Sequence, residues 1–287
     1  MEIRIGEFEF SEVWDGVLYK KLKDYPSVSQ WELKNIAQFV LYEKQHGREC
    51  TLTCEHNGIR KKAEDVMLHP EKYLSAETPA LIQECTACLH HGCLTKWVCH
   101  TASPENAKKI LDSGKLLSAV GARNLPAEQL MLEARNAAHD PADYFHYVML
   151  SWGNCQAGDR LVMERKLGRF PEEKDLSERF TPGVRFYFSF DRLTGHPNAV
   201  FDGMLPVKIR DEIVLEDWVE RIVIPKYLQM EMQIHIPKNL LSKTVFVEND
   251  CPDIWSWSKK VYEIVETTET PPSTWAKATT TPPEAAR

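Results

Sequence analysis

Between Pro206 and Pro225 the chain reads PVKIRDEIVLEDWVERIVIP, and the change of character inside that stretch limits the folds open to it. Five carboxylates, Asp211, Glu212, Glu216, Asp217 and Glu220, lie between Arg210 and Arg221. The next residues, Arg221-Ile222-Val223-Ile224, form a β-branched apolar run that reads as a buried strand. Carboxylates at the mouth of a core strand are held in place, unlike those of a free loop. If Glu216 to Glu220 is one helical turn, Glu216 and Glu220 share a face. Two like charges that close favour a cation or a shared proton. The competing reading is a solvated acidic turn, the ordinary state of carboxylates.

A chain of 287 residues, 43% hydrophobic with 8 Trp and 11 Phe, can bury a large core. No run of eighteen apolar residues occurs, and the opening MEIRIGEFEF is acidic, unlike a signal peptide. The expectation is a soluble, cytoplasmic protein with no membrane partner. A formal charge of −7 argues against broad nucleic-acid binding and against DNA as a partner. Local basic groups remain at Arg60-Lys61-Lys62, at Arg165-Lys166 with Arg169, and at Lys259-Lys260. Eight cysteines without a signal sequence suggest reduced thiols. Cys85 and Cys88 with His90, His91 and Cys93, and Cys50 and Cys54 upstream, have the residue types of a zinc site. Their intervals match no standard finger, so neither a catalytic metal nor zinc is expected.

Taken in order, residues 1–92 read as mainly helical, with Leu33, Ile36, Ala37, Val40 and Leu41 on one face of a helix from Trp31 to Gln45. A second helix runs from Thr78-Pro79 to near His91. Trp97-Val98-Cys99 reads as a strand ending at His100, followed by a helix with Ser103 as N-cap, Pro104 in its first turn and Gly114 at its end. That order displays an imidazole at a sheet edge. Helices are expected over Pro126–Ala138, Pro141–Trp152 and Asp159–Leu167, the last with an Arg160–Glu164 pair. The break from Gly153 to Gly158 is a tight turn or a substrate loop; as a loop it offers Asn154 and Arg160 for binding. Val184–Phe190 alternates as a strand, Asp191–Gly203 is a loop, and Met230–Ile236 and Lys243–Val247 are further strands. The Pro/Thr-rich tail from Thr267 reads as disordered. The order of elements gives an α+β class: one catalytic domain over 1–266, helical at first, then a mixed sheet flanked by helices.

The strings DYFHYVMLSWGNCQAGDRLVMERKLGR, GVRFYFSFDRL, HPNAVFDG, LPVKIRDEI and EDWVERIVIP resemble the arginine-containing cyclodipeptide synthases of fungi. That family carries an acidic D-D-x-x-E motif needed for activity. Here Glu216-Asp217-Trp218-Val219-Glu220 matches it, with Glu in place of the first Asp. The resemblance implies condensation of arginine with a second amino acid into a cyclic dipeptide, in secondary metabolism, with arginyl-tRNA and a second aminoacyl-tRNA as partners.

The residues suit that chemistry. A guanidinium takes paired carboxylates in bidentate geometry, which Glu216, Asp217 and Glu220 can supply. Attack by a free α-amine needs a proton acceptor, for which His100 is placed. An acyl-enzyme would need Ser151, Cys155 or Ser189 as nucleophile, and a direct route needs none. The ester already stores the energy of the new bond, so no cofactor is implied. A second resemblance is local: WVCHTASPENAKKILDSGKLLSA is similar to the strand-His-helix opening of ADP-ribosyltransferases, where a sheet-edge His holds NAD ribose. It implies a related scaffold and a triad of His100, Tyr187 or Ser189, and Glu220. A third reading is an interaction module whose acidic stretch binds a basic partner.

Overall fold

The computed structural model describes residues 1–8, 12–45, 48–74, 96–133, 141, 143–200 and 207–267. The expected second helix near 78–91 with its Cys/His group, the end of the Asp191–Gly203 loop beyond residue 200, and the tail beyond 267 lie outside them.

The N-terminal part departs from the helical expectation. Strands β1 (Glu2–Gly6), β2 (Glu12–Trp14), β3 (Val17–Lys21) and β4 (Thr51–Cys54) form a sheet in the order β2-β3-β1-β4. Helices α1 (Gln30–Gln45) and α2 (Asn57–Leu68) accompany it. Ile3 and Ile5 are buried with Leu33, Ile36, Val40, Ile59 and Val66. The alternation of Ile3 and Ile5 with Glu2 and Arg4 is the period-2 signal of a half-buried strand, short enough to pass for a charged leader.

The second part is built on a sheet in the order β14-β13-β9-β5-β8. In chain order its surroundings are β5 (Trp97–Ala102), α3 (Pro104–Ser113), β6 (Lys115–Leu117), α4 (Ala119–Arg123) and α5 (Ala127–Glu133). Then come β7 (Tyr147–Val148), β8 (Ser151–Trp152), α6 (Ala157–Leu167), α7 (Glu173–Leu176), β9 (Val184–Ser189) and α8 (Phe190–Thr194). The last group is β10 (Ala199–Val200), β11 (Lys208–Arg210), β12 (Glu212–Val214), α9 (Leu215–Trp218), β13 (Val219–Pro225), α10 (Gln229–Met232), β14 (Thr244–Val247) and α11 (Ile254–Thr267). Strand β9 is antiparallel to both β5 and β13, and β14 runs parallel to β13.

Alternation sorts the strands between two cores. Val98, Phe186, Phe188, Ile222 and Ile224 face Leu111 of α3 and Ile213 and Leu215. Trp97, Cys99, Tyr187 and Val223 face Met163 of α6 and Trp257 and Val261 of α11. The sheet is thus covered on both faces, and burying each large apolar side chain contributes about 1.5–3 kcal/mol. Gly158 lets α6 approach β5, because a Cβ there would stand 2.6 Å from the Thr101 Cβ. The α3 caps match the sequence: Ser103 Oγ accepts from the Asn106 amide at 3.4 Å, and Gly114 takes a left-handed φ of 68°. The class is mixed α+β.

Several expected elements differ. The Pro141–Trp152 helix is instead one 3-10 turn at Tyr144–His146 followed by β7 and β8, where β-branched and aromatic side chains pair across strands. Met230–Ile236 is not a strand: α10 closes there, burying Met232 and leaving Met230 and Ile234 exposed. The loop after Ser189 contains α8 and β10. Among the described residues no helix is long and apolar enough to cross a membrane.

Candidate active site

The acidic unit is half helix and half strand. Glu216 and Asp217 belong to the single turn α9, whereas Glu220 is already in β13. The expected shared face of Glu216 and Glu220 therefore does not form, because Val219 adopts extended backbone with φ −70° and ψ 136°. In β13, Val219 pairs with Phe188 and Arg221 with Tyr187, leaving Glu220 as the extra residue of a bulge. A bulge re-aims its side chain. The three carboxylates diverge: Glu216 and Asp217 are exposed and Glu220 is buried.

Glu220 meets a cation that inspection of the sequence missed. Arg192 Nη1 donates to Glu220 Oε1, and Arg192 Nη2 donates to the Asp217 carbonyl oxygen at 2.6 Å. The guanidinium lies 5.6 Å from the Trp218 ring centroid, and His196 packs on the same ring at 4.7 Å. Ser189 Oγ caps α8 by accepting from the Arg192 amide at 3.4 Å. Ser189 thus caps the turn that carries Arg192. Lys243, at the mouth of β14, donates to the Val219 carbonyl at 2.7 Å and the Glu216 carbonyl at 3.4 Å. Burial holds its ammonium below the ordinary lysine range; Arg192 and Arg221 push the same way, while Glu220 and Glu216 oppose. The only sequence signal for Arg192 and Lys243 is a lone cation where an aromatic strand ends or begins.

His100 is not past the end of its strand but inside β5, opposite Phe186. It is half-buried, and its Nδ1 lies 3.2 Å from the Met149 carbonyl oxygen. A carbonyl only accepts, so Nδ1 carries the proton and Nε2 keeps its lone pair. Burial lowers the imidazole pKa, the hydrogen bond to the Met149 carbonyl opposes it, and Arg165 lowers it further. His100 pairs with Phe186 and so lines up with Ile222 of β13, whereas Glu220 sits next to the Val219–Phe188 pair; the two are separated by two strand spacings, about 9–10 Å, plus an offset along the strands. No hydrogen bond joins them among the described residues, and the intervening β9 side chains Phe186 and Phe188 are fully buried.

The remaining candidates serve the other face. Tyr187 is fully buried; its hydroxyl donates to the Gly153 carbonyl at 3.2 Å and accepts from Arg185 Nη1 at 3.1 Å. Arg185 is anchored by Asp159 Oδ2, with its Nε at 2.8 Å, and reaches Ser258 Oγ. Asp159 Oδ1 accepts from the Gly183 amide at 2.8 Å. Burial pushes the Tyr187 pKa up, and its hydroxyl is held between Arg185 and the Gly153 carbonyl on the face away from Phe186 and Phe188. Asn154 is half-buried in the turn before α6, and Arg160 is exposed on α6, the layer over Trp97 and Cys99. Neither is brought to Glu220. Ser151 Oγ donates to the Cys99 carbonyl at 3.3 Å, and Cys155 Sγ accepts from the Ala157 amide at 3.4 Å. With Ser189 capping α8, none of the three nucleophile candidates is hydrogen-bonded to an imidazole among the described residues. Cys50 is half-buried and Cys54 buried. Among the described residues no group of three or more His, Cys, Asp and Glu side chains is arranged to hold a metal ion.

Comparison with known proteins finds no matching family model, no matching curated protein and no matching solved structure.

Proposed function

We propose that the chain is an aminoacyl-tRNA-dependent cyclodipeptide synthase joining arginine to a second amino acid as a cyclo(Arg-Xaa) diketopiperazine. The observation that supports it is that Glu220, the last carboxylate of the acidic unit, sits in a strand bulge against Arg192 instead of in solvent. In the first step the α-amine of one aminoacyl ester attacks the carbonyl carbon of the other. The C–N bond forms, the ester C–O bond breaks, the amine gives up a proton and the tRNA ribose oxygen takes one. Asp217 or Glu220 would accept that proton, with His100 Nε2 as the alternative base. Arg192 and Lys243 offer positive charge to the phosphodiester end of the leaving tRNA. A second aminolysis closes the ring. The engaged Ser151 and Ser189 hydroxyls favour the direct route over an acyl-enzyme. The test is mass spectrometry after incubating the purified chain with arginyl-tRNA and mixed aminoacyl-tRNAs. An arginine-containing cyclic dipeptide is expected, and its absence from every pairing would refute the assignment.

A second reading, an ADP-ribosyltransferase-like enzyme, has one observation in its favour. His100, Ser189 and Glu220 lie on the adjacent strands β5, β9 and β13, the order that a triad on such a scaffold requires. Against it, Tyr187 points to the opposite face and Ser189 is engaged in a cap. NAD raises the melting temperature if this reading holds and leaves it unchanged if the synthase reading holds.

A further inference from the structure

The backbone where α9 passes into β13 is held by two cations that lie far from it in the sequence. Lys243 ends the 3-10 segment Lys238–Lys243, and β14 begins at the next residue. The ladder between β13 and β14 starts at the Ile222–Thr244 pair, so the bulge between Val219 and Arg221 lies before it. Val219 is fully buried there, and a buried carbonyl without a donor is costly. The Lys243 ammonium supplies the donor, reaching the Val219 carbonyl at 2.7 Å and the Glu216 carbonyl at 3.4 Å. Arg192 Nη2 donates to the Asp217 carbonyl at 2.6 Å, and the Leu215 carbonyl accepts from the Val219 amide. Cations suit the C-terminal carbonyls of a helical turn, which are otherwise left without partners. One cation comes from the β9 side of β13 and the other from the β14 side.

Resting on the synthase reading, we propose that Lys243 is a positioning residue for that reaction: by clamping the backbone across the α9–β13 junction, it fixes the direction in which the bulge presents Glu220. A bulge interrupts the ladder, so the aim of its extra residue depends on what holds the peptides beside it. Here the Val219 carbonyl is the neighbouring peptide, and Lys243 is its donor. Both hydrogen bonds of Lys243 go to backbone carbonyls and neither to a carboxylate, so its hold on Glu220 runs through the chain. Arg192 differs, because its loss also takes away the partner of the Glu220 carboxylate. Replacing Lys243 therefore isolates the share of the backbone. This role is distinct from any charge that Lys243 offers to the leaving tRNA, and the two have different kinetic signatures.

The test compares Lys243→Met, which keeps the stem and loses the donors, with Lys243→Arg, which keeps both charge and donors. With arginyl-tRNA and mixed aminoacyl-tRNAs, Lys243→Met should lower kcat roughly ten- to hundredfold at unchanged KM, the scale of a misplaced reacting group. Lys243→Arg should recover most of that loss, and both variants should melt within a few degrees of wild type. In amide hydrogen exchange read by mass spectrometry, the segment 215–221 should exchange faster in Lys243→Met and at the wild-type rate in Lys243→Arg. A raised KM with unchanged kcat in Lys243→Met would overturn the inference, because it marks a lost contact with the tRNA. So would wild-type kcat or unchanged exchange in that variant, and loss of its folding would make Lys243 architecture. The two claims fail separately. Faster exchange in Lys243→Met, in a chain that makes no cyclic dipeptide, removes the synthase reading and keeps the clamp. Cyclic dipeptide formation with unchanged exchange does the reverse.

Discussion

Arg192 of α8 and Glu220 of β13 are joined, a guanidinium from a Ser189-capped turn lying on a buried carboxylate at a strand bulge. The relationship explains why an acidic unit at the mouth of a core strand is tolerated: its one buried charge has a fixed partner. Arg192 is itself 43% exposed, so the pair reaches the surface and stays open to a ligand.

Replacing either partner separates stability from chemistry. Arg192→Leu removes the pair and the donation to the Asp217 carbonyl, and should lower the unfolding free energy by about 1–3 kcal/mol in urea. Arg192→Lys keeps a charge but not the fork, and should recover part of the stability and little of the activity. Equal activity in wild type and Arg192→Lys would show that the fork is unused.

The network on the opposite face should behave as architecture. Asp159→Asn leaves the buried Arg185 charge without its carboxylate and should destabilise by about 3–5 kcal/mol. Tyr187→Phe removes a hydroxyl bonded to Arg185 and the Gly153 carbonyl and should cost about 0.5–1.5 kcal/mol, with KM unchanged. A raised KM in Tyr187→Phe would return Tyr187 to the substrate site.

His100 makes stability pH-dependent with a definite sign. Burial lowers its pKa in the folded chain below the unfolded value, so the unfolded chain binds more protons and stability rises with pH. The contribution is complete above the unfolded histidine pKa of about 6.5 and is lost as pH falls through the folded value. His196, also lowered by burial, adds in the same direction. His100→Gln should flatten the fall in melting temperature between pH 7 and pH 5 without removing it. An unchanged slope would contradict the burial of this imidazole.

Lys208 ties the N-terminal sheet to the rest of the chain. It is 1% exposed, its ammonium lies over the Trp14 ring and 4.7 Å from the Tyr147 centroid, and it pairs with Asp15 Oδ1 at 2.6 Å. Trp14 Nε1 also donates to Asp143 Oδ1 at 3.0 Å. Lys208→Met should cost about 2 kcal/mol, the scale of a desolvated cation–π contact, read from urea unfolding. A wild-type denaturation midpoint would show that the contact contributes nothing.

Much of the frame was legible because its signals are local. Ser103, Pro104 and Gly114 bound α3 through caps, and the aromatic alternation of Val184–Ser189 gives β9. The N-terminal sheet was not, because β2 has three residues and β1 and β3 five each, too few for the period to stand out among charges. At the site, residue types pointed to Glu220 and His100, but not to how their side chains are aimed. That depends on a bulge between Val219 and Arg221 and on partners, Arg192 and Lys243, distant in sequence and unmarked by any spacing.

The central claim is that this chain condenses arginine through the Glu216–Glu220 unit. It is tested most directly by mass spectrometry of small molecules from a host fed isotope-labelled arginine and expressing either wild type or Glu220→Gln. The account predicts a labelled cyclic dipeptide from the wild-type chain and roughly ten- to hundredfold less from Glu220→Gln, with both proteins melting within a few degrees of each other. No labelled cyclic dipeptide from wild type, or equal amounts from both, would contradict it.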